Sequence, residues 1–372
     1  MRKIAFVATN DYPAFGGSEY LWFQALIRMH DTGYEVGASV NHMVASCDQI
    51  QQIRDLNRPV FIRSISPILE RLHIERIRPR MREDSSGAWL DRFEPDFVVI
   101  SQGASYDGWW CARQCRNKGI PYILIVQAVV DTYWPLDQQL DELVGMYGEA
   151  KGVFFLSPKN KKTVEKQLGM EILRSVWMQN PYNVSNEAAP EWPNESTAKL
   201  ACVARLEPPS KGQDVLFEVL NQNKWRSRPL AVRLFGMGRQ SEALRRLARL
   251  WRLDNVEFRG FVDNIETVWA DHHALVLPSR SEGLPLAVVE AMFCSRFCVV
   301  TDIAGNADMI EDNVNGFIAG APHPELLDDA MERAWNRRDE WQQIGRLAGE
   351  TVRNTISIDP VGNFVEALSA LL

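Results

Sequence analysis

Long apolar runs and histidines are both scarce in this chain. Histidine makes up six of the 372 residues, and the longest apolar stretch, residues 122–130, is interrupted by Gln127. A helix that spans a bilayer needs roughly 18 apolar residues in succession, so none is predicted. The N-terminal MRKIAFVATND turns polar at Thr9, too early for a signal peptide, and predicts a first strand. We therefore expect a cytoplasmic protein.

Positive charge is also in deficit. The chain has 41 Lys and Arg against 48 Asp and Glu, for a formal net charge of −7, which argues against a dedicated nucleic-acid-binding protein. The two C-x3-C pairs lie in helical or strand-like apolar runs without nearby histidines, and their spacing does not match a zinc site. We expect buried free thiols in a reducing compartment. The six cysteines are Cys47, Cys111, Cys115, Cys202, Cys294 and Cys298.

Short apolar stretches alternate with amphipathic ones along the whole chain. This alternation predicts parallel sheets with helices on both faces, and the length suggests two domains. The helical patterns include residues 19–30 and 106–117. The predicted strands are residues 4–8, 36–40, 96–100, 122–126 and 153–156, followed by 200–203, 231–234, 256–258, 274–277 and 297–300.

A polar segment rich in Pro, Asn, Glu and Ser, residues 179–197, separates the two series of strands. Such a composition is typical of a linker between domains. We therefore predict an α/β protein with a Rossmann-like domain over residues 1–180 and a second one over residues 181–355. Residues 356–372 predict a last helix.

The most informative stretch is PSRSEGLPLAVVEAMFCSRFCVVTDIAGNADMIEDNVNG, residues 278–316. A predicted strand leads into Glu282 and Gly283, and a helical pattern over residues 286–293 carries Glu290. A tight turn before a helix that starts near a proline directs free backbone N–H groups at an anion. The sequence therefore predicts an anion-binding turn flanked by two glutamates.

A second candidate site opens the later half of the chain in CVARLEPPSKGQDVL. Arg205 and Lys211 follow a predicted strand, and Gly212 precedes a helix. Arginine binds a phosphate in fork geometry and lysine binds it as a point charge, so the pair suits a diphosphate. The alternative is that both are solvated loop cations.

Two adjacent glycines follow the first predicted strand in PAFGGSEYLW. Gly16 and Gly17 let the backbone come close to a ligand, Ser18 is a candidate N-cap, and Glu19 falls in the first helical turn. The helix N-terminus favours negative charge. A plain turn is the alternative reading of these residues.

Together these segments resemble the retaining glycosyltransferases of family 4 (glycosyl transferases group 1), which have the GT-B fold. The resemblance rests on E-x7-E with EGLP and EAM, on AGN…IEDNVNG, which is similar to GG…I-x-D-G-x-N-G, and on a lengthened R-L-x-x-x-K-G. It implies two Rossmann-like domains that face each other across a cleft. It also implies that the last helix, residues 356–372, crosses back to the first domain.

The resemblance implies transfer of a sugar from a UDP- or GDP-sugar to a hydroxyl of a glycan or lipid-linked acceptor. An α-glycoside would form, in polysaccharide or glycolipid synthesis, without a cofactor. Arg205 and Lys211 would stabilise the leaving diphosphate, Glu282 would orient the sugar, and Glu290 would bind ribose. The other implied donor-binding residues are Gly16, Gly17, Gly236, Phe261, Gly283, Leu284 and Pro285. No Asp-x-Asp motif is present, so no metal is implied.

The chain departs from the family pattern in one respect. Family members often carry a histidine in a first-domain loop over the donor sugar, and no histidine follows residues 96–100 or 122–126. The acceptor-side candidates are instead Glu19, Gln102, Gln127 and Asp131. A glutamine can hydrogen-bond a sugar hydroxyl but cannot act as a base. A non-catalytic GT-B-like binding or scaffold subunit, or a nucleotide-sugar epimerase, therefore stays open as an alternative.

Residues 54–83 contain eight arginines interleaved with apolar residues. A basic amphipathic segment of this kind suits peripheral contact with the inner membrane surface, where a lipid-linked acceptor would lie. A solvated helix face is the alternative. The arginines are Arg54, Arg58, Arg63, Arg71, Arg76, Arg78, Arg80 and Arg82.

Overall fold

The computed structural model describes residues 1–10, 15–63, 78–188 and 190–372, and for residues 78–84 it describes the backbone alone. The chain divides into two compact units. The first comprises Met1–Pro181 together with Asp359–Leu372, and the second comprises Tyr182–Ile358. The boundary near residue 181 lies inside the polar segment 179–197.

The first unit is built on a parallel sheet with the strand order β3-β2-β1-β4-β5-β6-β7. Its central strands read as continuous apolar runs, as expected of strands covered on both faces. Ile4, Phe6 and Val99 are fully buried. The strands are β1 Lys3–Ala8, β2 Glu35–Asn41, β3 Val60–Arg63, β4 Phe97–Gln102, β5 Tyr122–Val126, β6 Gly152–Phe155 and β7 Ser175–Trp177.

Helices connect successive strands of this sheet. The helix Trp109–Lys118 ends at Gly119, whose φ of +67° suits a glycine C-cap. The helix Pro158–Leu168 begins after Ser157, whose side chain accepts the N–H of Lys159. The helices are Gly17–Asp31, His42–Val44 (3₁₀), Asp48–Asp55, Arg78–Phe93, Trp109–Lys118, Asp137–Glu149, Pro158–Leu168 and Pro360–Ser369.

The last helix packs against the first one. Arg28 forms an ion pair of 2.6 Å with Asp359, and the rings of Phe154 and Phe364 meet edge to face at 5.2 Å. Residues 359–372 therefore belong to the first unit, although they follow the second in sequence.

The second unit repeats the doubly wound pattern, with the strand order β10-β9-β8-β11-β12-β13. Its strands are β8 Ala198–Val203, β9 Leu230–Phe235, β10 Val256–Gly260, β11 Ala274–Leu277, β12 Phe297–Thr301 and β13 Gly316–Ala319. Its helices are Pro208–Lys211, Gln213–Leu220, Asn223–Arg226, Ser241–Leu250, Glu266–Asp271, Leu286–Phe293, Ala304–Asn306 (3₁₀), Pro324–Asn336, Arg338–Glu340 (3₁₀) and Trp341–Thr355.

The predicted strands are all present, with ends that differ by at most two residues. The sequence missed β3, β7 and β13, which span three or four residues each. The prediction of Ser18 as an N-cap is wrong. Gly16 is the cap residue and has no side chain to bond the helix, which begins at Gly17 and has Glu19 in its first turn.

The polar segment after residue 181 is held on the second unit. The buried guanidinium of Arg296 donates to the carbonyl of Glu191 at 2.6 Å, and Arg353 donates to the carbonyl of Ala188 at 3.0 Å. Only the first residues of the predicted linker therefore precede the second unit.

Within the described ranges, no helix has both the length and the apolar content needed to cross a membrane. The cysteines are all free thiols, and all are buried except Cys47, which is half-buried. Much of the arginine-rich segment, including Arg71 and Arg76, lies outside the described residues.

The loops that leave β8 and β11 touch at a backbone position that only glycine fits. Gly212 has a φ of +65°, and a Cβ there would lie 1.9 Å from the carbonyl oxygen of Pro278. On the same loops, the N–H groups of Arg280 and Ser281 both donate to the carbonyl of Ser210, at 2.8 and 3.2 Å. The two loops are thus fixed against each other by their main chains.

We expect Gly212→Ala to destabilise the second unit by more than about 3 kcal/mol, since a left-handed φ costs an alanine roughly 1–2 kcal/mol and the clash adds to it. Gly260→Ala is the matched control, because Gly260 has a φ of +77° in the same unit with no atom within 4 Å of the added Cβ. Chemical denaturation measures both losses. Equal losses would show that the contact with Pro278 carries no weight.

Candidate functional site

The strand order of the second unit reverses between β8 and β11, which pair in parallel with Ala274 opposite Leu200. In doubly wound sheets, ligands bind beyond the carboxyl ends of the strands at such a switch point. The loops there are residues 204–212 after β8 and residues 278–285 after β11. They carry Arg205, Lys211 and Glu282, so the fold brings the predicted cations and the first glutamate to one edge.

Lys211 and Glu282 form a buried ion pair at this edge. The Lys211 Nζ lies 2.6 Å from Oε1 of Glu282, and the two side chains are 13% and 8% exposed. Ser279 donates its hydroxyl to the same Oε1 at 2.7 Å. A buried ion pair of this kind requires additional hydrogen bonds to offset its desolvation. The bond to Glu282 uses one of the three ammonium hydrogens of Lys211.

Ser279 is itself held by the neighbouring strand. The Thr301 hydroxyl, at the end of β12, donates to the carbonyl of Ser279 at 2.6 Å. Both residues are fully buried. The position of the Glu282 carboxylate is therefore determined by β8, β11 and β12 together.

Arg205 occupies a more exposed place on the same loop. Its side chain is 43% exposed, and its Nε lies 3.5 Å from Glu207. The carbonyl of Arg205 accepts a bond of 2.7 Å from the fully buried Gln213. The backbone is thus fixed, while an exposed pair of this length contributes little energy.

Glu290 lies on the helix Leu286–Phe293, which follows β11 and has Pro285 as its cap residue. It is only 5% exposed, and its Oε1 accepts both the backbone N–H and the side-chain amide of Asn183, at 3.1 Å each. Burial raises the pKa of Glu290 to about 7, and the bonds from Asn183 oppose this shift. Neither bond uses Oε2.

The donor-side candidates of the second unit that remain also border this edge of the sheet. Gly236, at the end of β9, has a φ of +127°, and a Cβ there would lie 2.2 Å from the carbonyl of Ala204. Gly283 accepts the N–H of Gly305 at 2.8 Å, which fixes the turn before Leu284 and Pro285. Phe261, just after β10, is 66% exposed.

In the first unit, the Glu19 carboxylate is hydrogen-bonded to nearby residues of the same unit. Its carboxylate accepts the indole N–H of Trp22 at 2.6 Å and the amide of Asn10 at 2.9 Å. Burial raises the pKa of Glu19. Gly16 and Gly17 before it are half-buried, and a Cβ at Gly16 would meet no atom within 4 Å.

The two predicted glutamines follow neighbouring strands and are both buried. Gln102, at the end of β4, donates to the carbonyl of Asp107 at 2.6 Å and accepts the Tyr147 hydroxyl at 3.3 Å. Gln127, just after β5, exchanges two hydrogen bonds with Asn180, at 2.8 and 3.3 Å. Asp131 lies exposed in the next turn.

Sequence reasoning missed four polar residues that hold these side chains. Three of them act across 22 to 107 positions, which no local pattern signals. Ser279 lies only three positions before Glu282 and is the one residue near enough in sequence to suggest a role. The four residues are Asn180, Asn183, Ser279 and Thr301.

The chain shares its fold with solved glycosyltransferase structures. Over 100% of both chains it superposes with a TM-score of 0.74 on Anabaena HepE in complex with UDP-glucose, at 17% identity. Over 100% of both chains it also superposes with a TM-score of 0.76 on the sucrose-phosphate synthase of Thermosynechococcus elongatus, at 14% identity. The predicted GT-B fold is confirmed.

Residues 197–337 match the model of the family described as glycosyl transferases group 1. The chain is 27% identical over 198 residues to the poly(ribitol-phosphate) alpha-N-acetylglucosaminyltransferase of Staphylococcus aureus, an alignment that covers 52% of this chain and 40% of that protein. The chain spans at most 40% of the length of each curated relative that it matches. Residues 197–337 are thus similar to the glycosyl transferases group 1 family, as the sequence motifs indicate, and the finer assignment to family 4 stays a prediction.

Proposed function

We propose that the protein is a retaining glycosyltransferase, which moves a sugar from a nucleoside-diphosphate-sugar to an acceptor hydroxyl and forms an α-glycoside. The observation that carries the proposal is the buried Lys211–Glu282 pair at the switch point of the second unit. A fixed cation beside a fixed carboxylate suits a ligand that carries a diphosphate next to a reacting sugar carbon.

The diphosphate contacts Lys211 and Arg205 in this proposal. The remaining ammonium hydrogens of Lys211 and the exposed guanidinium of Arg205 are charge-assisted donors for phosphate oxygens. Donors held in place before the reaction stabilise the charge that develops on the leaving group. These cations do the work that a metal does in other diphosphate sites, so we expect transfer without a divalent metal.

Glu282 contacts the sugar. Positive charge develops at the anomeric carbon as its bond to the diphosphate breaks, and a fixed carboxylate stabilises that charge. The acceptor oxygen bonds to the anomeric carbon on the face that the diphosphate leaves. The acceptor proton passes to the leaving phosphate oxygen, so no side-chain base is required and the amide of Gln127 serves as a hydrogen-bonding contact.

Glu290 binds the ribose through Oε2, which its bonds to Asn183 leave unused. The base is uracil in this proposal, since Anabaena HepE was solved with UDP and with UDP-glucose. Glu19, Gln102, Gln127 and Asp131 are the candidates for contact with a glycan or lipid-linked acceptor on the first unit. We place the protein in the cytoplasm, with peripheral membrane contact through the arginine-rich segment.

Replacing either donor-site cation should weaken UDP binding. We expect Arg205→Ala and Lys211→Met each to raise the Kd for UDP by roughly 10- to 100-fold, since a hydrogen bond to a charged group contributes roughly 1.5–3 kcal/mol. Arg246→Ala is the control, because Arg246 is 75% exposed in the same unit. Isothermal titration calorimetry measures the affinities. Wild-type affinity in both donor-site variants would place the diphosphate elsewhere.

Substitution of Glu290 and substitution of Glu282 should affect UDP binding and sugar transfer differently. We expect Glu290→Ala to weaken UDP binding, because the ribose loses its acceptor. Glu282→Ala should keep UDP affinity within a few-fold and lower kcat for transfer by roughly 100-fold or more, because its partner is the sugar in the transition state. Calorimetry with UDP and a transfer assay in excess EDTA measure the two quantities. The reverse pattern would exchange the two assignments.

Glu290 should also make UDP binding depend on pH. Its pKa of about 7 means that the carboxylate form, which accepts ribose hydroxyls, is populated as pH rises from 6 to 8. We therefore expect wild-type affinity for UDP to increase over this interval by up to about tenfold, and the affinity of Glu290→Gln to vary less. The phosphate groups of UDP titrate equally in both proteins. Parallel pH profiles would contradict the assignment.

The raised pKa of Glu290 also makes the stability of the folded protein depend on pH. The folded-state pKa of about 7 exceeds the ordinary carboxyl pKa of 4.5. The stabilising contribution of the protonated form is therefore present below pH 4.5 and is lost as pH rises through 7. Glu290→Gln should therefore gain stability relative to wild type between pH 5 and pH 8. A constant difference in Tm across that range would show that Glu290 does not titrate there.

A further inference from the structure

The chain passes from the first unit to the second between Pro181 and Tyr182, in the sequence Asn-Pro-Tyr-Asn of residues 180–183. Each asparagine of this segment bonds a side chain of its own unit. Asn180 bonds Gln127 in the first unit, and Asn183 bonds Glu290 in the second. Asn180 and Asn183 are thus three positions apart in sequence, and each bonds one of the proposed substrate-binding residues, Gln127 and Glu290.

Asn183 holds Glu290 with two donors. Its backbone N–H and its side-chain amide both lie 3.1 Å from the same carboxylate oxygen. Two donors on one oxygen fix the rotation of the carboxyl group and favour its charged form. The other oxygen, Oε2, is thereby oriented for a ligand.

The backbone of Asn183 is in turn fixed on both sides. The Tyr182 ring stacks on Phe293 with 4.5 Å between centroids, and Phe293 lies three positions after Glu290, on the same helix face. The N–H of Ser185 donates to Glu266 at 2.6 Å. The donors of Asn183 are therefore held in place before any ligand arrives.

Asn180 holds Gln127 by a reciprocal pair of amide bonds. Asn180 donates to Oε1 of Gln127 at 2.8 Å and accepts from its Nε2 at 3.3 Å. Both side chains are at most 6% exposed. Because each amide donates once and accepts once, the pair fixes which end of the Gln127 amide is donor and which is acceptor.

We propose that Asn180 and Asn183 are the two positioning residues of one connecting segment. Asn180 orients Gln127 for the acceptor side of the reaction, and Asn183 orients Glu290 for the ribose of the donor. The inference rests on the proposed function, which assigns those roles to Gln127 and Glu290. It adds that residues 180–183, where the chain passes from the first unit to the second, position both side chains.

A double-mutant cycle tests the positioning role of Asn183. We expect Asn183→Ala to raise the Kd for UDP by about tenfold in the full chain. In a Glu290→Ala background the same substitution should change the Kd less than twofold, because Asn183 acts only through Glu290. Asn186→Ala is the matched control, since the bond that Asn186 makes to Arg353 uses its backbone carbonyl. Calorimetry with UDP provides all four affinities.

The outcomes separate this inference from the proposed function. If Glu290→Ala keeps wild-type affinity for UDP, the assignment of the ribose site fails. If Glu290→Ala loses affinity while Asn183→Ala loses none, or loses as much in both backgrounds, the positioning role is wrong. Should Asn183→Ala not fold, Asn183→Asp runs the same cycle, because it keeps the size of the side chain and replaces the donor with a carboxylate that repels Glu290.

A second double-mutant cycle, with Gln127, tests the positioning role of Asn180. We expect Asn180→Ala to leave the Kd for UDP within twofold of wild type and to lower kcat/KM for the acceptor about tenfold, and we expect the same of Gln127→Ala. The double variant should be no worse than either single one. Additive losses in kcat/KM, or a loss of UDP affinity in Asn180→Ala, would overturn the assignment of Asn180 to Gln127.

Discussion

A single close backbone approach determines the geometry of the proposed donor site. The carbonyl oxygen of Pro278 occupies the place that a side chain at position 212 would need. Gly212 therefore lets the loop after β8 lie directly on the loop after β11, and the main-chain bonds from Arg280 and Ser281 to Ser210 keep it there. Lys211 reaches Glu282 because its neighbour in sequence is a glycine at this contact.

The site also shows how a buried edge of a sheet accommodates charge. The Glu282 carboxylate forms an ion pair with the Lys211 ammonium and accepts a hydrogen bond from the Ser279 hydroxyl. Among the described residues no cation pairs with Glu290. Its burial raises its pKa to about 7, and two neutral donors from Asn183 oppose the shift. Two glutamates eight positions apart thus differ in chemistry because of their partners. That difference underlies the separate roles proposed for them, one at the sugar and one at the ribose.

Local patterns predicted much of this structure. Alternating apolar strands and helices predicted two parallel sheets. The placement of Arg205, Lys211 and Glu282 in turns after predicted strands singled out residues that the fold brings to one edge. The strand β7 was missed because three residues, Ser175–Trp177, are too few for a period to show. The bonds from Asn183 to Glu290 cross 107 positions, and only the folded chain reveals such a partner.

The proposed mechanism requires that a nucleotide-sugar bind at the carboxyl edge of β8 and β11. A crystal structure of the full chain with UDP bound would show whether it does. We expect diphosphate oxygens within hydrogen-bonding distance of the Lys211 ammonium and the Arg205 guanidinium, and ribose hydroxyls on Oε2 of Glu290. A nucleotide bound at another edge of the sheet, or one whose ribose does not touch Glu290, would contradict it.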